Sequence, residues 1–282
     1  MVYLIIGFAV WSIKFLNEQS FFASFFSKKE VLSYSLLCGL GLALLAAPAA
    51  AQKRSGYDDA GPQTRAMQDD DSANPGFLWV VQGEALWAAP AVAGGKSCAD
   101  CHGGIAAMRG VAARYPSHDA ARDRPLNLTA RVNICRTEHQ GAPPLAVESQ
   151  AMLALTAAIG RQSRGMALHI DATGPLAPVI ARGALLFSTR QGQLNLSCAQ
   201  CHDDRAGGRL GGAVIPQGHA NGYPQYRLEW QTLGSLARRL RACLSGVRAE
   251  PYAADAAEML EFEAFLAVRG DGLVVETPAV RP

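Results

Sequence analysis

The sequence lacks an excess of charge of either sign: 26 lysines and arginines against 24 acidic residues leave a formal net charge of +2. No dense basic field is available to attract a polyanion, so nucleic acid is excluded as the partner. Beyond residue 47 no apolar run is long enough to span a bilayer. The chain has Cys-x-x-Cys pairs but no further Cys or His pairs at ligand spacing, which argues against a zinc site. No βαβ pattern surrounds those pairs, which argues against a thioredoxin-like dithiol. What remains is a chain long enough for two domains, 49% hydrophobic, with an ordinary core in each half.

Residues 1–51 read as a leader. Lys28 and Lys29 open a basic region, residues 31–47 form an apolar run, and Ala49, Ala50 and Ala51 supply a small-residue cleavage site before Gln52. The apolar and aromatic stretch before Lys28 is an addition unusual for such a signal. Cys38 lies inside the apolar run after Leu37 rather than a small residue, so it is expected to leave with the leader rather than take a lipid. The mature chain is expected to be exported and soluble, in a bacterium in the periplasm.

The rest of the chain repeats itself. Gly83, Leu86 and Trp87 precede Cys98-x-x-Cys101-His102, and Gly183, Leu186 and Phe187 precede Cys198-x-x-Cys201-His202 at the same spacing, 100 residues on. Met152, Leu153, Leu155 and Ile159 recur as Met259, Leu260, Phe262 and Leu266 at a slightly larger offset. Such self-similarity indicates duplicated structural units. Cys-x-x-Cys-His is the attachment signature of c-type haem: two thiols on one helical turn form thioethers, and the adjoining imidazole faces the iron. Two haem c groups are therefore expected, on Cys98, Cys101 and His102 and on Cys198, Cys201 and His202. Each unit reads as a helix, the motif, a loop rich in Gly, Pro and Arg, and a closing amphipathic helix. The pattern predicts helices over residues 75–88, 148–162, 177–189 and 254–268, with a linker over 165–178. The expected fold is mostly α: two tandem class I cytochrome c-like domains with few strands. The first comprises 52–170, including a polar arm, and the second 171–282.

The second axial ligands are the discriminating question. After His202 the only methionine is Met259, which falls on the closing helix as a core residue. The candidates are His219 and Cys243 in the second unit, and Met166, His118, His139 and Cys135 in the first. Cys135 and Cys243 are the two cysteines left over, one per unit. Iron ligation, a disulfide joining them and two inert buried thiols all stay open. Residues 232–244 read as a helix with Leu233, Leu236, Leu240 and Leu244 on one stripe, and Arg239 shares a face with Cys243 one turn on. Arg238, Arg241 and Arg248 add positive charge, which lowers a thiol pKa and offers a dock for a small dianion. A solvated basic face is the plainer alternative. His118, His139, His169 and His219 fall in loops, Asp69, Asp70 and Asp71 read as a solvated turn, and Trp79, Trp87 and Trp230 as packing groups.

With these residues in hand, the chain resembles the SoxA family, dihaem cytochrome subunits of bacterial thiosulfate oxidation. The resemblance runs through the mature chain, on SGYDD, TRAMQDDDSANPGFLWV, CADCH, VNICRTEHQGAPPLA, RQSRGM, GQLNLSCAQCHDD and RLEWQTLGSLARRLRAC. The last block is the most specific. The resemblance implies Cys135 as the distal ligand of the first haem and Cys243 as that of the second. It also implies Cys243 as a persulfide-bearing catalytic centre and Arg239 as the substrate-binding arginine. The implied activity is that of an L-cysteine S-thiosulfotransferase, with thiosulfate as substrate. The implied partners are SoxX, a monohaem cytochrome, the carrier protein SoxYZ and a small cytochrome c acceptor. The rival readings are a dihaem electron carrier with no chemistry of its own, a tetrathionate-forming thiosulfate dehydrogenase and a dihaem peroxidase.

Overall fold

Two helix crossings, each made possible by a glycine, organise the chain. The computed structural model describes residues 52–282; the leader expected over 1–51 lies outside the described residues. In the first half, α1 (Pro62–Asp69) starts with proline in its first turn. It is followed by α2 (Phe77–Ala88) and the short α3 (Ala99–His102). A hairpin of β1 (Ser117–Asp119) and β2 (Arg124–Leu126) leads into α4 (Leu128–His139) and α5 (Gln150–Arg161). The second half repeats the order with α6 (Ala177–Ser188) and α7 (Cys198–His202). A small hairpin, β3 (Arg209–Leu210) with β4 (Ala213–Val214), is inserted next. Then come β5 (Gln225–Arg227), β6 (Thr232–Gly234), α8 (Leu236–Gly246) and α9 (Ala257–Arg269).

α2 lies against α5, and α6 against α9. A Cβ on Gly83 would stand 2.0 Å from the Ala154 carbonyl oxygen, and one on Gly183 would stand 2.0 Å from that of Glu261. The repeated glycine is thus the residue that lets each opening helix touch its closing partner. α5 is buried continuously from Met152 to Gly160, as suits a helix surrounded by protein.

The last strand, β7 (Ala279–Arg281), pairs parallel with β5. Its Val280 joins Tyr226, Leu233, Val80, Leu153 and Ala157 in one core, so the end of the chain packs against both halves. Residues Lys53–Pro282 form one compact unit. Among the described residues no helix is long and apolar enough to cross a membrane.

Three expectations are corrected. Thr232–Gly234 is strand, not helix: pairing with β5 takes these residues, and the helix starts only after Ser235, whose hydroxyl caps it by accepting from the Arg238 amide. Leu233 therefore faces the shared core, off the stripe of Leu236, Leu240 and Leu244. The segment 165–178 is not a free linker: Ala167 bridges Val274, the Leu168 amide donates to the Leu273 carbonyl at 2.8 Å, and Gly174–Leu176 forms a 3-10 turn. The aspartate run is engaged rather than merely solvated: Arg161 and Arg164 each reach Asp71 at 2.7 Å, and Asp69 accepts from Tyr57 Oη at 2.6 Å.

Candidate functional site

Each Cys-x-x-Cys-His turn is held by a serine before it. Ser197 forms a capping box with Gln200. Ser97 Oγ accepts from the Asp100 amide at 3.1 Å, while the Ser97 amide donates to Asp100 Oδ2 at 2.7 Å. The aromatic residue on each opening helix meets the motif histidine: Trp87 lies 5.7 Å from His102 and Phe187 6.3 Å from His202, between ring centroids. Trp87 Nε1 also donates to the Gly103 carbonyl at 2.9 Å.

The first motif opens onto a cavity of about 620 Å³ walled by Trp87, Cys98, Cys101, His102, Arg131 and Cys135. Burial pushes the Cys98 and Cys135 thiols up. Of the other candidates, His139 lines this cavity from the end of α4. His118 sits on β1 beside Asp123, at 3.2 Å. Met166 packs its methyl near Gly110; neither of the latter two lines the cavity.

The second motif opens onto a narrower cleft of about 160 Å³, where Cys198, His202, Tyr223, Arg227, Arg239 and Cys243 meet. His202 Nδ1 lies 2.7 Å from the Pro216 carbonyl, a contact that fixes the orientation of the ring. Gly218 packs on the same ring; a Cβ there would sit 3.0 Å from it. Burial lowers the His202 pKa, with Arg239 and Arg269 adding to the shift. Burial, with the neighbouring Cys243, pushes the Cys198 thiol to about 11. His219 is half-buried and lines the cleft, its Nε2 3.1 Å from Gln217 Oε1; burial, with the Arg269 charge, pushes it down to about 4.

The two leftover cysteines line different cavities and all six cysteines of the described residues are free, so no disulfide joins Cys135 to Cys243. Arg239 and Cys243 share the cleft as their spacing predicts. None of the three other arginines expected there, Arg238, Arg241 and Arg248, lines it. Arg238 stacks on Trp230, 4.3 Å from the ring centroid, and Arg241 donates to the Tyr252 carbonyl at 2.5 Å. The further positive charge comes instead from Arg227 and Arg281 on β5 and β7. Alternation along Gln225-Tyr226-Arg227 is the available signal for Arg227; Ala279-Val280-Arg281, with two apolar residues before its arginine, offers none.

A second repeat underlies the cysteines. Tyr115-Pro116, Asp119, Asn127, Arg131 and Cys135 recur, 108 residues on, as Tyr223-Pro224, Arg227, Ser235, Arg239 and Cys243. In both copies a hairpin turns through a left-handed residue, Asp123 at φ 48° and Gln231 at φ 51°. A side-chain-capped helix carrying the cysteine follows, capped by Asn127 and by Ser235. The β3–β4 insertion accounts for the change of offset from 100 to 108.

Two thiols and an imidazole on one turn, facing a thiol on the next helix, are a donor set that fits covalent haem. The first cavity has the size of a cofactor site, roughly 300–1,000 Å³; Cys198, His202 and Cys243 wall the tighter second cleft, with Cys201 on the same helical turn but outside its lining. Two of the buried polar atoms without a partner, Gln140 Oε1 and His219 Nδ1, belong to residues that line these two cavities. The fold and the donor sets define a c-type cytochrome.

The model of the SoxA/TsdA cytochrome c domain matches residues 82–168 and 182–275. The L-cysteine S-thiosulfotransferase subunit SoxA of Pseudaminobacter salicylatoxidans is 40% identical over 221 residues, 78% of this chain and 77% of that protein. Its counterpart in Rhodovulum sulfidophilum is 36% identical over 229 residues, 81% of this chain and 80% of that one. Among solved structures, a chain of the SoxXA crystal structure from P. pantotrophus superposes with a TM-score of 0.80 at 36% identity, covering 82% of this chain and 87% of that one. The chain belongs to the SoxA family, within the SoxA/TsdA cytochromes c, whose domain takes haem c.

Proposed function

We propose that this chain is a periplasmic dihaem cytochrome that joins thiosulfate oxidatively to a cysteine of a carrier protein, as an L-cysteine S-thiosulfotransferase subunit. The observation that carries this reading is that Cys243 and Arg239, on one face of α8, open into the same cleft as Cys198 and His202. The names of the SoxA relatives support it. Cys98, Cys101, His102 and Cys135 would hold one haem in the half spanning 52–170. Cys198, Cys201, His202 and Cys243 would hold the other in the half spanning 171–282. Cys243 is preferred over His219 because it occupies the position of Cys135 in the repeat. His219 adjoins Gly218, which packs on His202, and so stands beside that ring rather than across from it.

Arg239 would bind the dianion, and the sulfur at Cys243, carried as a persulfide, would receive its outer sulfur before a carrier cysteine takes it. Overall the carrier thiol sulfur and the outer sulfur of thiosulfate become joined by one S–S bond, the thiol proton is lost and two electrons leave. Haem supplies the one-electron acceptor chemistry that this net oxidation requires. The electrons would pass to a monohaem partner, SoxX, and on to a small cytochrome c; the carrier would be SoxYZ. Burial of Tyr223, whose hydroxyl is pushed up to about 12, keeps a neutral group beside the reacting sulfur. The test is Cys243→Ser in the haem-loaded complex. Thiosulfate transfer is expected to vanish while both haems stay attached; retained transfer would overturn the reading.

A further inference from the structure

The repeat places opposite charges at one position. In the first half, Asp119 ends β1 and binds Arg131, the arginine one turn before Cys135, at 2.9 Å; it also takes Arg122 at 3.1 Å. This Asp119 is buried. In the second half the residue at that strand end is Arg227, and the arginine one turn before Cys243 is Arg239. The internal counter-charge has been replaced by a second guanidinium. Burial, with the charge of Arg239 next, pulls Arg227 below its ordinary value, as expected where two cations share a low-dielectric site.

What holds them is Glu229. Its Oε1 accepts from Arg227 Nε at 2.7 Å and from Arg239 Nη1 at 3.4 Å. The Glu229 side chain is 48% exposed, whereas that of Asp119 is 6% exposed. A carboxylate that open to water can swing away; one buried between two arginines cannot. Arg281, the third guanidinium on the cleft, is committed to Glu276 and to Gln68 Oε1.

We infer that Arg227 and Arg239 together form the docking site for the oxyanion end of a small dianion, and that Glu229 occupies this site as an internal carboxylate until the dianion displaces it. The inference rests on the reading of Cys243 as the reacting sulfur, since both arginines line its cleft, and it adds the second arm and the displaceable occupant. Two guanidiniums match a dianion in charge, and their planar forks match an oxyanion's edge.

The experiment is calorimetric titration of the haem-loaded chain, with its partner subunit, by sulfate at constant ionic strength. Sulfate carries the dianionic oxyanion without a reactive outer sulfur. Arg227→Gln is expected to weaken sulfate binding about tenfold. Arg227→Asp, which copies the first half, is expected to remove it. Glu229→Gln, a change at an exposed side chain that leaves the fold in place, is expected to tighten binding roughly fivefold by removing the competing charge. Unaltered sulfate affinity in the Arg227 variants, or unaltered or weakened affinity in Glu229→Gln, overturns the inference. Neither result touches the reading of Cys243, which stands or falls on whether Cys243→Ser still transfers thiosulfate.

Discussion

The two haem-motif halves share a scaffold and differ in charge and space. Both use a glycine to cross their helices, a serine to cap the motif turn, an aromatic ring against the histidine, and a hairpin leading into a capped helix with a cysteine. The first half surrounds a cavity of about 620 Å³ and neutralises its arginine with buried Asp119. The second has a cleft of about 160 Å³, an arginine in place of that aspartate, and a half-exposed Glu229 as counter-ion. A duplicated fold therefore does not duplicate its chemistry: one strand-end residue separates a closed ion pair from an open anion site.

The largest expected effect breaks this comparison at the sulfur. Cys243→Ser should cost thiosulfate transfer by on the order of a hundredfold or more, as loss of a reacting nucleophile does. Cys135→Ser should leave most transfer intact. A transfer assay on purified holoprotein, with a haem stain for attachment, reads both; equal losses would mean the halves act alike. The next effect tests what the halves share. Gly83→Ala and Gly183→Ala both drive a methyl into a facing carbonyl, and overpacking of this kind costs about 1–3 kcal/mol. For a chain of this size each kcal/mol lowers Tm by about 2–4 °C. Similar shifts in both variants would sustain the common scaffold; a variant that melts like the parent would show that its crossing is loose.

The parts of this structure legible in the sequence are those with a local signature. Cys98-x-x-Cys101-His102 and Cys198-x-x-Cys201-His202 lie on the short helices their spacing demands, and the helices over 75–88, 148–162, 177–189 and 254–268 appear within three residues of those bounds. The cysteine helix of the second half reads too long because the leucine spacing from Leu233 to Leu244 masks the break at Gly234 and the cap at Ser235. The strand character of Thr232–Gly234 comes from pairing with β5, a non-local contact. The same blindness hid Arg227 and Arg281. A three-residue strand is too short for its alternation to stand out, and only the β5–β7 pairing brings the end of the chain beside α8. Arg238 and Arg241 look like site residues in the sequence because charge along a helix says nothing of which way a long side chain leans; Trp230 and the Tyr252 carbonyl decide it.

A smaller effect sharpens the charge comparison. Burial alone would raise the Asp119 carboxyl, but the Ala121 amide and the guanidiniums of Arg122 and Arg131 hold it below its usual value of 3.8. A carboxyl lowered on folding adds stability that is present above the unfolded pKa and is lost as pH falls through the folded one. The urea midpoint of the parent should therefore drop as pH is taken from about 5 to about 3, and part of that drop should disappear in Asp119→Asn. Arg227, at the matching place, stays charged throughout and contributes no such slope. An Asp119→Asn protein with the parent's full acid slope would show that Asp119 is not the group responsible.

The last effect has the opposite sign. A cavity of about 470 Å³, walled by Asn127, Thr156, Tyr223, Leu236 and Glu263, lies between the two cysteine helices and the closing helices. Asn127 Nδ2 donates to Glu263 Oε2 at 2.8 Å. Burial pushes the Glu263 carboxyl up to about 7, with the Asn127 bond holding it partly back. The corresponding place on α5 is Thr156, a neutral residue whose hydroxyl donates to the Met152 carbonyl at 2.8 Å. A carboxyl raised on folding is most favourable below its ordinary value of 4.5 and loses that contribution as pH rises through about 7. The urea midpoint should fall between those limits in the parent and lie flatter in Glu263→Gln. The Asn127 amide meets the charge as it forms, so replacing Asn127 by Ala should deepen the fall.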